Sequence, residues 1–327
     1  MKLGSTRLVT AVLAAAFAYT AFPSGAIAQD YPTRPVKIIV GYVAGGGPDS
    51  IARALALRLS EILGQPFTVE NRPGAGGTLA TAVVARSPAD GYTLLAGETG
   101  QLVIAPYIYK SLPYNTLKDF TPVALATSEP VLLVASAKSN IKSVADLVRE
   151  AKANPEKISY GSSGVGTIHH ITAEVFKFGV GIDMQHIPYK GSGQSVPALL
   201  AGDVPVLMSG YGSVAPHIRS GALNLLAVTT ASRIGPFPAT PAMGEFIKGY
   251  DFPSETGILA PAGLPAPIVA KLALAIKQAT DSPEFLNRFK ETSIVANFKN
   301  SADYTENLKA NLKKYESAVS MAKIQPE

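Results

Sequence analysis

The sequence predicts an α/β protein made of two α/β sets, each a mainly parallel sheet flanked by helices, with a ligand cleft between them. Three observations predict it. At "IIVGYVAGGGPDSIARALA" (38–56) an apolar strand passes through three glycines straight into an apolar helix. "SYGSSGVGTIHH" (159–170) repeats that design later in the chain. Around both, strands and helices alternate through short turns with no long linker, the pattern of βαβ units.

Each element follows from its residues. "VKIIV" (36–40) is a near-continuous apolar strand, as expected when helices cover both faces of a sheet. Residues 50–63 carry Ile51, Leu55, Leu59 and Ile62 at helical spacing. "FTVENRPGAGG" is a strand and a glycine turn, residues 79–85 a helix, "ADGY" a turn and "TLLAG" a strand. "VLLVAS" (131–136) opens the second set. "SVADLVREAKANP" is a helix opened by Ser143 with Asp146 three residues on, close to a capping box. "KISYGSS" is a strand, and "TIHHITAEVFKFG" an amphipathic helix with Ile171, Val175 and Phe178 expected on its inner face. "MQHIPY", "VPVLMSG" and "NLLAVTT" are strands, with helices at "SVPALLAG" and before "IRSGAL". The proline- and glycine-rich run from "PFPATPAMGEF" to "APAGLPAP" is expected to be loop. Two helices, 268–279 and 302–323, close the chain.

The N-terminus predicts export. Lys2 and Arg7 precede an apolar run from Leu8 to Phe22, shorter than the roughly 20 residues a membrane span needs. "AIAQD" then offers a small-x-small site with cleavage expected after Ala28, so residues 1–28 are expected to be a signal peptide. The chain has no cysteine, hence no disulfide, thiolate metal site or lipidated cysteine anchor. A soluble periplasmic protein is the expectation. The formal charge of +5 falls to +3 once Lys2 and Arg7 are removed, and no basic stripe points to nucleic acid.

The two glycine passages are the candidate site. "GGGPD" lacks the lysine of a phosphate-binding P-loop and the spacing of a dinucleotide fingerprint. Pro48 suits a first helical position and Asp49 complements the helix dipole, so a tight strand–helix turn explains them by itself. The functional alternative is that residues 43–47 offer unhindered N–H groups to a carboxylate. In the second passage Ser162, Ser163, two glycines and Thr167 allow the same two readings, helix capping or an anion cradle. Two such loops facing one cleft point to a ligand with acidic ends. Neither loop contains lysine or arginine, so the carboxylate is expected to meet neutral dipoles; Lys190 in "PYKGSG" is the nearest cation and is expected to be solvated. "GSSGVG" is no nucleophile elbow, because Val165 stands where the last glycine belongs, and none of the four histidines forms an H-E-x-x-H pair. His170 beside the loop is expected to be a helix-turn hydrogen bonder rather than a base.

"YPTRPVKIIVGYVAGGGPDSIARALA", "VENRPGAGGTLA", "DGYTLL", "YGSSGVGTIHHITAE", "IPYKGSG", "GDVPVLM", "SGALNLLAVTT" and "APAGLP" resemble, in order and over nearly the whole mature chain, the Bug family. These are solute receptors of tripartite tricarboxylate transporters. The resemblance implies a two-lobed periplasmic binding protein of the type II kind that closes on a di- or tricarboxylate, an acidic amino acid or an aromatic acid. It implies membrane transporter subunits as partners, with reporting to a membrane sensor kinase as the alternative and an exported hydrolase disfavoured. Lobes of 29–126 plus 229–327 and of 127–228 are expected, in a monomer without cofactor, metal or catalytic residue. The binding set expected is Tyr42, Val43, Ala44, Gly46, Gly47, Asp49, Glu98, Ser162, Ser163, Gly166, Thr167, His170, Lys190 and Ser209. Ser209 stands where the family usually carries an aspartate. Glu255 and Thr256 replace a frequent aromatic pair, and Glu98 and Glu129 end strands that should border the cleft.

Overall fold

The computed structural model describes residues 31–155 and 157–326; the expected signal peptide lies outside them. "VKIIV" forms β1 (Val36–Val40), with every residue but Lys37 buried. Parallel to it on either side run β2 (Phe67–Asn71) and β3 (Thr93–Glu98), linked by helices Gly47–Leu63 and Thr78–Ala85. Next come β4 (Phe120–Glu129) and, after Pro130 alone, β5 (Val131–Ser136). β6 (Ser159–Ser162), β7 (Gln185–Pro188), β8 (Val206–Gly210) and β9 (Leu223–Val228) follow, with helices between them. The chain then forms β10 (Ser254–Pro261) and β11 (Val295–Lys299).

The strands make two sheets, in the orders β11-β4-β10-β3-β1-β2 and β7-β6-β8-β5-β9. Both are mixed rather than mainly parallel. In the second sheet β5 runs against β8 and β9, and in the first β10 runs against β3 and β4. The reason is connectivity. Each of these two strands receives the chain from the other sheet, so it starts at the cleft, where βαβ strands end. The ends of β1, β3, β4 and β6 and the start of β10 therefore converge on one crevice, where open α/β sheets bind ligands. Thr229 ties the two crossings together. Its amide donates to the Val131 carbonyl (3.0 Å), and its hydroxyl accepts from the Val131 amide (2.8 Å) and donates to the Phe252 carbonyl (3.1 Å).

Helix Gly47–Leu63 buries Ile51, Leu55 and Leu59 in one core with Ile38, Val40 and the helix Ala266–Asp281. A second core runs through both sheets, from Ile39, Leu95 and Leu125 to Leu133 and Met208. Tyr304, Leu308 and Tyr315 of helix Ser301–Met321 join it. Helix Ile168–Val180 differs from expectation at Phe178, which is 72% exposed. Its inner face centres on Thr172 and Phe176, and Phe178 lies about 200° around the axis from Phe176.

Candidate ligand-binding site

At the end of β1 the backbone must pass very close to a neighbouring loop. A Cβ on Gly41 would lie 2.6 Å from the Gly77 Cα, so only glycine fits. Gly45, at φ +87°, turns the chain into helix Gly47–Leu63. Gly46 is its N-cap and offers no side chain, while Pro48 needs no hydrogen-bond partner, so the first-turn amides stay open.

Asp49 does not line the crevice. It folds beneath the loop and is 2% exposed, accepting from the Gly45 amide (2.9 Å), Arg53 Nε (3.0 Å) and Asn71 Nδ2 (2.8 Å). Burial by itself would raise its pKa; the hydrogen bonds from Arg53, Gly45 and Asn71 and the guanidinium charge outweigh it and lower it. Asp49 is thus a brace for the loop, a different role from the expected contact.

The second loop leaves β6 at Ser162. Thr167 caps helix Ile168–Val180, accepting from the His170 amide (3.3 Å) and donating to the Gly164 carbonyl (2.8 Å). The hydroxyl of this residue is therefore committed to the cap, its one proton going to Gly164. The Ser163 hydroxyl is hydrogen-bonded to His169 Nδ1. A Cβ on Gly166 would meet Ile108 Cδ1 at 2.7 Å, so this loop seats directly on the short helix Ala105–Ile108 beside the first sheet.

Behind the loop lies a ring stack. His170 stacks on His186 at 3.9 Å between centroids, and His186 on Tyr160 at 4.9 Å. His170 Nδ1 accepts from the Gly166 amide (3.2 Å), and His186 Nε2 pairs with the Ser162 hydroxyl (2.7 Å). Burial, above all, pulls His169, His170 and His186 down to about 4. An unfolded histidine titrates near 6.5, so between about pH 6.5 and 4 the unfolded chain binds more protons. Stability is then complete above that window and lost as pH falls through it. The urea midpoint is expected to decline steadily across the window, and a flat midpoint would contradict the neutral stack.

Between the two loops lies a cavity of about 940 Å³. Of the residues expected from sequence, Tyr42, Val43, Gly46, Gly47, Glu98, Ser163, Gly166 and Thr167 line it. Ala44, Asp49, Ser162, His170, Lys190 and Ser209 do not, and each has a local reason. Ala44 sits on the outer turn of the loop, and Ser162 and His170 are committed to the buried ring stack. Lys190 is exposed, with its backbone amide donating to Gln194 Oε1 (3.1 Å). Ser209 is 1% exposed within β8, paired with Leu132.

The glutamates divide clearly. Glu98 and Glu129 line the cavity, while Glu255 turns away and accepts from Asn307 and Asn311 of helix Ser301–Met321. The Glu98 carboxylate is held by the Tyr42 hydroxyl (2.7 Å), the Gly100 amide (2.9 Å) and the Ser254 hydroxyl.

The wall residues outside the expected set include His169, Tyr211, Ser254 and Arg288. Ser254 and Arg288 carried no usable signal, one lying in a run expected to be loop and the other in the short helix Pro283–Phe289. His169 was legible in retrospect, since it is the second residue of the helix that follows the glycines.

The model of the tripartite tricarboxylate transporter family receptor matches residues 51–323 of this chain. A UPF0065 protein of Bordetella bronchiseptica is 38% identical over 262 residues, covering 80% of this chain and 78% of that protein. R. palustris Rpa4515, solved with adipate, matches with a TM-score of 0.82 at 33% identity over 91% of this chain and 100% of that one. The periplasmic binding protein BugD matches at 0.78 and 30% identity, over 91% and 100%. MatC (Rpa3494) from Rhodopseudomonas palustris, with bound malate, matches at 0.76 and 29% identity, over 88% and 100%. This is a family of solute receptors, not of enzymes. The family match over most of its length, and the fold shared with those solved structures over 88–91% of the chain, mean that the chain belongs to the tripartite tricarboxylate transporter receptors.

Proposed function

We propose that this protein is a periplasmic receptor that captures a small carboxylate and delivers it to the membrane subunits of a tripartite tricarboxylate transporter. One observation carries the reading: two glycine loops from different sheets, each opening a helix, face a single cavity with amides and hydroxyls. Adipate and malate in the structures of two relatives agree with it. The N-terminal pattern ending at Ala28 supports export through a cleaved signal peptide. The protein acts as a monomer, and its two lobes divide at the crossings Pro130 and Thr229, which form the hinge. The first division falls a few residues after the expected 126/127 because β4 stays in the first sheet to Glu129.

Carboxylate binding here uses neutral dipoles. The first-turn amide of Gly47 and the hydroxyl of Ser163 point partial positive charge at the anion, while Thr167, its own proton given to Gly164, holds the second loop in shape. With His169 as the Nδ1–H tautomer, the imidazole donates to Ser163 and leaves the serine proton for the ligand. The wall cation is Arg288 rather than Lys190, and it approaches from the first sheet, away from the second loop. A thermal-shift screen against mono-, di- and tricarboxylates tests the reading; no stabilisation by any of them would overturn it. With the best ligand, Ser163→Ala is expected to cost about 1 kcal/mol or more of binding and Lys190→Ala almost nothing, by calorimetric titration.

A further inference from the structure

The cavity floor holds two carboxylates with different surroundings. Glu98 is saturated by the three donors described above. Glu129 is not. It ends β4 directly opposite Ser254 of β10, but the Ser254 hydroxyl goes to Glu98. Its Oε1 accepts from the Ser293 hydroxyl (2.9 Å), and the Tyr211 amide lies within hydrogen-bonding reach of the carboxylate. Among the described residues no lysine, arginine or histidine forms an ion pair with it, and Arg288 on the same wall leaves it uncompensated. Its Oε2 faces the first glycine loop, 3.3 Å from where a Cβ on Gly47 would sit.

An acidic side chain therefore borders the amides that invite the ligand's own carboxylate. Two bare carboxylates that close repel, and each has lost water to the cavity walls. A hydrogen-bond donor between them removes the conflict, and a cationic donor removes it best.

We infer that Glu129 is a specificity-determining residue, selecting ligands with a donor, above all an ammonium, on the carbon next to the carboxylate seated on the Gly46–Gly47 loop. The inference rests on the carboxylate-receptor reading and narrows it. Burial raises the pKa of Glu129, and the charge of Glu98 adds to the rise against the hydrogen bonds of Ser293 and Tyr211. A ligand ammonium at this position opposes that rise and favours the ionised form. The preferred ligands are thus amino- or hydroxy-substituted acids rather than plain aliphatic ones.

The test is calorimetric titration of the mature protein with matched sets: succinate, malate and aspartate, and adipate against 2-aminoadipate. The wild type is expected to bind the amino acid about tenfold or more tightly than the unsubstituted acid of equal length, with the hydroxy acid between. Glu129→Gln keeps the shape and the acceptor for Ser293 but removes the charge, so this preference should vanish while the unsubstituted acid tightens. A thermal melt of the variant confirms that it is folded. Equal or reversed preference in the wild type, or a preference unchanged in Glu129→Gln, overturns the inference and leaves the receptor reading standing. If no member of either set binds while other carboxylates stabilise the protein, the inference also falls. If no carboxylate stabilises it at all, the receptor reading falls first.

Discussion

Replacing Gly47 with valine is expected to weaken carboxylate binding about 100-fold or more, while the melting temperature moves only slightly. Gly47 is the first residue of helix Gly47–Leu63, and its φ is not in the left-handed region, so the backbone accepts a side chain. The new Cβ would point into the cavity, 3.3 Å from Glu129 Oε2, where the ligand must approach the amides. Losing two hydrogen bonds to a charged group, at about 1.5–3 kcal/mol each, accounts for the expected loss. Calorimetric titration beside differential scanning calorimetry separates the effects. Intact affinity in the folded fraction, with a large drop in melting temperature, would show that the glycine serves only the turn.

Asp49→Ala is expected to do the opposite, with a stability loss of about 3 kcal/mol and a looser, weaker-binding loop as the consequence. The carboxylate satisfies three donors at a buried position, and alanine strands the Gly45 amide and part of the Arg53 and Asn71 side chains. Each stranded buried donor costs about 1–3 kcal/mol, offset where water reaches the half-exposed Arg53. Asn71 also donates to the Tyr42 carbonyl (3.1 Å), so the disturbance reaches the cavity wall. Urea denaturation should show the lowered midpoint, and Asp49→Asn should fall between the two. An unchanged midpoint for Asp49→Ala would mean that the brace is dispensable.

The sequence by itself determined the two glycine loops, the helices they open and the family. Those features are local: a glycine where a Cβ would collide, a proline in the first helical turn, threonine or serine at a cap. Local chemistry dictates them whatever packs nearby, and Ser143 and Thr167 cap their helices as their spacing requires. Tertiary structure alone decided which polar residues face the ligand. β10 sits in a proline- and glycine-rich run, yet it lies between β3 and β4 in the first sheet, because pairing with strands more than 100 residues away supplies what its own composition lacks. Its register then sends Ser254 toward the cavity and Glu255 toward Asn307 and Asn311, an alternation that would reverse with a slip of one residue. The same holds for charge. Asp49 and Glu129 are both acids beside one glycine loop, but Asp49 meets Arg53 and Asn71 under the backbone while Glu129 meets the open cavity. Side-chain direction and the partner it finds are products of long-range register, which neighbouring residues in the chain do not encode.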